Sequence, residues 1–144
     1  MREGGRREID GGGFDGGNDV SLAGVMAGSR VAVCVTDPTA ADNPITYVNT
    51  AFERLTLYPR DEAVGYNCRF LQGEATDPAD VAAIRAGLDR GEDFVVTLTN
   101  HRADGSTFRN QLFVSPVHDD AGRITAYFGL LRHVDAEEAA LRDR

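Results

Sequence analysis

The stretch GYNCRFLQG, residues 65–73, sets a thiol between an amide and a guanidinium, with Asn67 before Cys68 and Arg69 after it. A cysteine kept for packing favours apolar neighbours, whereas one kept for covalent chemistry favours polar and cationic ones. Cys68 is therefore a candidate for bond formation through sulfur. Arg69 and Arg85 offer a second chemistry, because two guanidinium groups arriving from different elements suit a phosphate through forked, charge-assisted hydrogen bonds. Taken singly, each is an ordinary solvated arginine.

Two asparagines add a third signal. Strand alternation puts Phe94, Val96, Leu98 and Asn100 on one face of one run, and Phe108, Asn110, Leu112 and Val114 on one face of the next. A buried amide without a partner costs about 1–3 kcal/mol. Two readings stay open: each asparagine bonds backbone or a fixed water, or both meet the polar edge of a planar heterocycle lying against Leu98, Leu112 and Val114. The second is the usual build of a cofactor pocket, mostly apolar with a few placed polar groups. With the arginines, it points to a nucleotide-like ligand carrying a ring at one end and a phosphate at the other.

The elements that must position these residues are readable from local signals. VAVCVT from Val31 is a β-rich run, DPTAADNP is turn-forming, and ITYVN is a second short strand. TAFERLTL and RDEAV read as short helices separated by Pro59. TDPADVAAIRAGLDRG carries a complete helix signature: Asp77 as N-cap, Pro78 at the first position, Val81, Ile84 and Leu88 on one face, and Gly91 past the end. Beyond it, two alternating runs flank the turn Ala103-Asp104-Gly105-Ser106, and DDAGR leads into a third, ITAYFGLLRHV. Five strands with helices between the second and third predict an α+β domain, one antiparallel sheet with helices on one face.

Composition sets the outer limits. At 144 residues the chain holds one domain with something left over. Its net charge of -8 argues against nucleic acid or an anionic membrane as a partner, since phosphate binding calls for a basic patch. No apolar run approaches a membrane span and no signal-peptide stretch opens the chain, so a cytoplasmic protein is expected. The cysteines Cys34 and Cys68 form no C-x-x-C, and His101, His118 and His133 lack metal-ligand spacing. The first nineteen residues, with seven glycines by residue 17, are too polar to bury a core and read as a flexible leader.

GYNCRFLQG closely resembles GxNCRFLQ, the signature of LOV domains, the flavin-binding blue-light sensors of the PAS superfamily. The resemblance runs from about Val31 to Val134 and takes in DNPITYVN, the helix with its Ile84-Arg85 pair and the NHRADGSTFRN hairpin. It implies a PAS fold, a five-stranded antiparallel sheet with helices packed on one face around FMN. The implied organisation is a Gly-rich leader over 1–28, the flavin-binding domain over 29–134 and the start of a connector helix over 135–144. By motif position Cys68 is the residue whose sulfur bonds the flavin C4a carbon after blue-light absorption. Asn67 and Gln72 then bond the ribityl chain, Arg69 and Arg85 the phosphate, and Asn100 and Asn110 the pyrimidine edge. Thr36, Leu71, Val81, Leu88, Leu98, Leu112, Tyr127 and Gly129 line the rest.

One position departs from the pattern. The family's last strand carries a glutamine two residues after a glycine, and here Leu131 follows Gly129 at that spacing. Leucine neither donates nor accepts a hydrogen bond, so signalling through a glutamine rearrangement cannot run unchanged. Cys34 is read as a small hydrophobe at a pocket position, with a second redox-active thiol as the alternative. The expected function is a sensory module rather than an enzyme, its small-molecule partner the flavin. Output through a homodimer or through a downstream effector reached by the terminal segments stays open. The alternatives are a flavin-dependent thiol redox enzyme and a light-insensitive PAS ligand-binding module.

Overall fold

The computed structural model describes residues 30–135. The leader expected over 1–28, and all but the first residue of the connector expected over 135–144, lie outside the described residues.

Strand β1 (Ala32–Thr36) pairs antiparallel with β2 (Ile45–Val48), Cys34 opposite Val48. The turn between them uses Asp42 and Asn43 in left-handed backbone, at φ 67° and 48°, a conformation that short polar side chains tolerate better than others. Helix α1 (Thr50–Thr56) starts at Asn49, whose Oδ1 accepts the Phe52 N–H at 3.0 Å. The same oxygen accepts Val33 N–H at 2.9 Å, and Asn49 Nδ2 donates to the Val31 carbonyl at 2.8 Å, so one buried side chain ties the helix to β1. Pro59 separates α1 from α2 (Arg60–Ala63), and a 3-10 helix (Cys68–Leu71) follows.

Helix α3 (Pro78–Arg90) has the ends that the sequence predicts. Asp77 Oδ1 accepts Ala79 N–H at 2.9 Å, and Gly91 closes the helix in left-handed backbone at φ 63°. Ile84 and Leu88 pack on Phe94, Val114 and Tyr127, which fixes α3 against the sheet.

Strands β3 (Phe94–His101), β4 (Thr107–His118) and β5 (Ile124–Val134) form the antiparallel meander, turning at Ala103–Ser106 between the first two. The five strands make one sheet in the order β2-β1-β5-β4-β3. The last strand thus lies in the middle, between the first strand and β4, and Gly129 and Leu131 occupy the sheet's centre. A second cluster joins Ala32, Cys34, Ile45, Val48, Phe52, Ala63, Leu71 and Leu131, the fully enclosed Phe52 among them. Burying such a phenylalanine contributes about 1.5–3 kcal/mol.

Candidate functional site

Register brings the sheet side of the site together. Leu98 lies opposite Asn110, and Leu112 opposite Leu131 on its other neighbour; Leu131 in turn faces Ala32. Gly129 lies between Val114 and Cys34, and Tyr127 opposite Thr36. Thr36, Leu98, Asn100, Asn110, Tyr127, Gly129 and Leu131 are all buried, while Leu112 is half-buried and touches both apolar clusters. The inward asparagines bond each other, Asn110 Nδ2 donating to Asn100 Oδ1 at 2.9 Å. Asn110 Oδ1 accepts the Arg132 N–H at 3.1 Å. Asn100 Nδ2 reaches only the Thr99 carbonyl, at a long 3.4 Å. The Thr36 hydroxyl is buried with no hydrogen-bond partner. The Tyr127 hydroxyl donates to the Leu88 carbonyl at 3.0 Å, so it closes the end of α3 against β5.

The helical side is built by the 3-10 helix. Asn67 caps it, its Oδ1 accepting Arg69 N–H at 2.9 Å, and Cys68 is its first residue. Cys68 packs on the cluster that contains Cys34, Leu71 and Leu131. The residue is half-buried but its thiol is enclosed, and burial pushes the thiol above the ordinary value of 9.0, against smaller downward pulls from its own backbone and from Arg69. Cys34 is pushed up as well, first by burial and then by the neighbouring Cys68. Both sulfurs are therefore neutral thiols at neutral pH. Gln72 is half-buried directly after the 3-10 helix, and Val81 and Leu88 are half-buried on α3.

The two arginines are not gathered on a common group. Arg69 grips Asp42 through both terminal nitrogens, at 2.8 and 2.6 Å, and Asn67 Nδ2 donates to the Asp42 carbonyl at 2.7 Å. Arg85 is exposed on α3. Beside Arg69 opens a cleft of about 330 Å³ walled by Tyr58, Tyr66 and Phe70. Sequence reasoning missed Asp42, since no local pattern links a turn residue to a side chain 27 positions on. It missed Asn49 as well, although an asparagine before a helical run is a capping signal.

Residues 30–134 match the PAS domain family. A solved structure described as "Flavin Analogue Sheds Light on Light-Oxygen-Voltage Domain Mechanism" superposes with a TM-score of 0.79 at 42% identity, covering 89% of this chain and 96% of that one. The dark structure of the blue-light photoreceptor Aureochrome1 LOV superposes at 0.77 and 41% identity, covering 85% and 89%. The chain is a LOV domain of the PAS superfamily. Among curated proteins the LOV domain is 44% identical over 110 residues to a blue-light photoreceptor of Listeria monocytogenes serovar 1/2a (strain ATCC BAA-679 / EGD-e), covering 76% of this chain and 43% of that protein. It is 45% identical over 101 residues to blue-light-activated histidine kinase 1 of Erythrobacter litoralis (strain HTCC2594), covering 70% and 28%. The chain thus spans less than half the length of these curated relatives.

The residues present fit a flavin, the chromophore that LOV relatives imply. Thr36 Oγ1 lacks a partner in a buried position, and the Asn100–Asn110 pair leaves donors and acceptors unspent. Gly129 keeps the centre of the sheet free of a side chain: a Cβ there would stand 3.3 Å from Cys34 Sγ. No helix among the described residues is long and apolar enough to cross a membrane.

Proposed function

We propose that the LOV domain is a cytoplasmic blue-light sensor that binds FMN and forms a reversible bond between Cys68 Sγ and the flavin C4a carbon under illumination. The observation that carries this reading is the packing of the Cys68 thiol on the Leu131 cluster, beside a sheet face holding the buried Asn100–Asn110 pair. A flavin supplies light absorption and an electrophilic ring carbon. The chain's own residues do the rest.

Asn67 and Gln72 hold the ribityl chain, Arg69 and Arg85 the phosphate, and Asn100 and Asn110 the pyrimidine edge. Leu71, Val81, Leu88, Leu98, Leu112, Tyr127, Gly129 and Leu131 exclude water from the ring, with the Thr36 hydroxyl supplying a further polar group. Cys68 contributes its sulfur to the new bond and its proton to the ring nitrogen N5, so charge balances with no external acid. A raised thiol pKa suits this chemistry, because light and not prior ionisation drives the step. That same raised pKa argues against an ordinary thiol redox enzyme, which needs a ready thiolate. The proposed role is sensory, its output passing through a change in dimer contacts or through a downstream effector that carries any enzymatic activity.

The experiment is to purify the chain, release the bound flavin with acid, identify it by chromatography, and follow absorbance through a blue-light and dark cycle. FMN with reversible bleaching supports the reading. A colourless protein, or a flavin that does not bleach, contradicts it.

A further inference from the structure

The buried asparagine pair is wired into the backbone of the central strand. Asn100 and Asn110 are 3% and 1% exposed, and their side chains form a two-bond chain running from Asn100 Oδ1 through Asn110 to the Arg132 N–H, at 2.9 and 3.1 Å. Arg132 directly follows Leu131, two residues before β5 ends at Val134. The strand position that carries glutamine in the family pattern holds a side chain with no hydrogen-bonding atom. The neighbouring residue's main chain is instead bonded to an amide that faces the site.

Counting bonding capacity sharpens the point. A side-chain amide offers two N–H donors and an oxygen with two acceptor sites. Asn110 spends one donor on Asn100 and one acceptor site on Arg132, and keeps one of each. Asn100 spends one acceptor site on Asn110, and its donor contact with Thr99 at 3.4 Å is weak. Both amides can therefore bond a ligand edge without breaking the chain to β5. The amino and carbonyl ends of Asn110 are conjugated, so polarisation of one end passes to the other, and hydrogen bonds in a low-dielectric interior reinforce or weaken each other.

We propose that Asn110 is a positioning residue that couples the polar edge of the bound flavin to the main chain of β5 through the Arg132 N–H, in place of a glutamine side chain at position 131. The inference rests on the sensor reading above. When illumination changes the charge on the ring's edge, the remaining donor and acceptor of Asn110 respond, and its bond to Arg132 strengthens or weakens with them. The end of β5 then loosens or tightens without any side-chain flip at Leu131.

The test is backbone amide exchange in the 15N-labelled full chain with its flavin, resolved at Arg132, in darkness and under continuous blue light, with absorbance recorded on the same sample. Exchange at Arg132 changes by about fivefold or more between dark and light, the scale of one hydrogen bond, in the parent protein. In darkness Asn110→Asp, which keeps an acceptor for the Arg132 N–H, preserves slow exchange there, whereas Asn110→Ala raises it. Bleaching with Arg132 exchange unchanged in the parent overturns the coupling and leaves the sensor reading standing. Absence of bleaching overturns both. The parent comparison decides the matter even where a variant does not fold.

Discussion

Arg69 and Asp42 form a two-pronged ion pair on the surface, at 2.8 and 2.6 Å, that joins the 3-10 helix bearing Cys68 to the turn between β1 and β2. Hydrogen bonding to Arg69 holds the Asp42 carboxyl below its ordinary range, so the pair is present throughout the neutral range. Proposed for the flavin phosphate, Arg69 must share itself with Asp42 or leave it. Asp42→Asn releases the guanidinium and should tighten FMN relative to riboflavin, which has no phosphate, by about two- to fivefold, the scale of an exposed pair. Fluorescence titration of the apoprotein with both flavins measures the ratio. An unchanged ratio removes Arg69 from the phosphate.

Leu131 is 3% exposed at the centre of the sheet, opposite Leu112 and Ala32. Leu131→Gln adds a donor beside the ring's O4 and should shift the dark flavin spectrum to the red. An absorption spectrum that does not move places Leu131 away from the ring.

Gly87 opposes two effects whose sizes differ. In an open helix, Gly→Ala gains about 1 kcal/mol. Here the added methyl would overlap the Phe94 ring, which is itself packed by Ile84 and Leu88. Overpacking costs about 1–3 kcal/mol, so Gly87→Ala should destabilise the domain by up to about 2 kcal/mol in urea unfolding. A stabilised variant would mean that Phe94 yields at little cost.

Where the sequence was legible, the signal was local. α3 announces itself through Asp77, Pro78 and Gly91, each acting within a turn of the helix end, and the hairpin through Ala103–Ser106. Alternation put Asn100 and Asn110 each on the apolar face of its own strand, and register brings the two onto one sheet face as diagonal neighbours: Asn110 opposes Leu98 while Asn100 opposes Phe108. Their mutual bond was not legible, because it depends on strand register. Nor was the seat of β5 between β1 and β4, a non-local pairing, or the Arg69–Asp42 grip. The four-residue 3-10 helix at Cys68 is too short to show a period.

The raised Cys68 thiol gives a pH prediction with a definite sign. Its folded pKa lies above the ordinary 9.0, so the stabilisation from keeping it neutral is complete below the unfolded value and fades as pH rises through the folded one. Bleaching yield should stay flat from about pH 6 to 8.5, because burial keeps the Cys68 thiol protonated where an ordinary thiol already begins to ionise. A steep change centred within that window would mean a thiolate in the dark state.

The central claim is that Cys68, and not Cys34, makes the bond to the flavin. Both sulfurs belong to one packed group, so the test must keep one while removing the other. The measurement is the blue-light difference spectrum of Cys68→Ala with Cys34 intact, set beside the parent. The account predicts a yellow variant that no longer bleaches, against a parent that bleaches and recovers in the dark. Bleaching that survives in Cys68→Ala would contradict it.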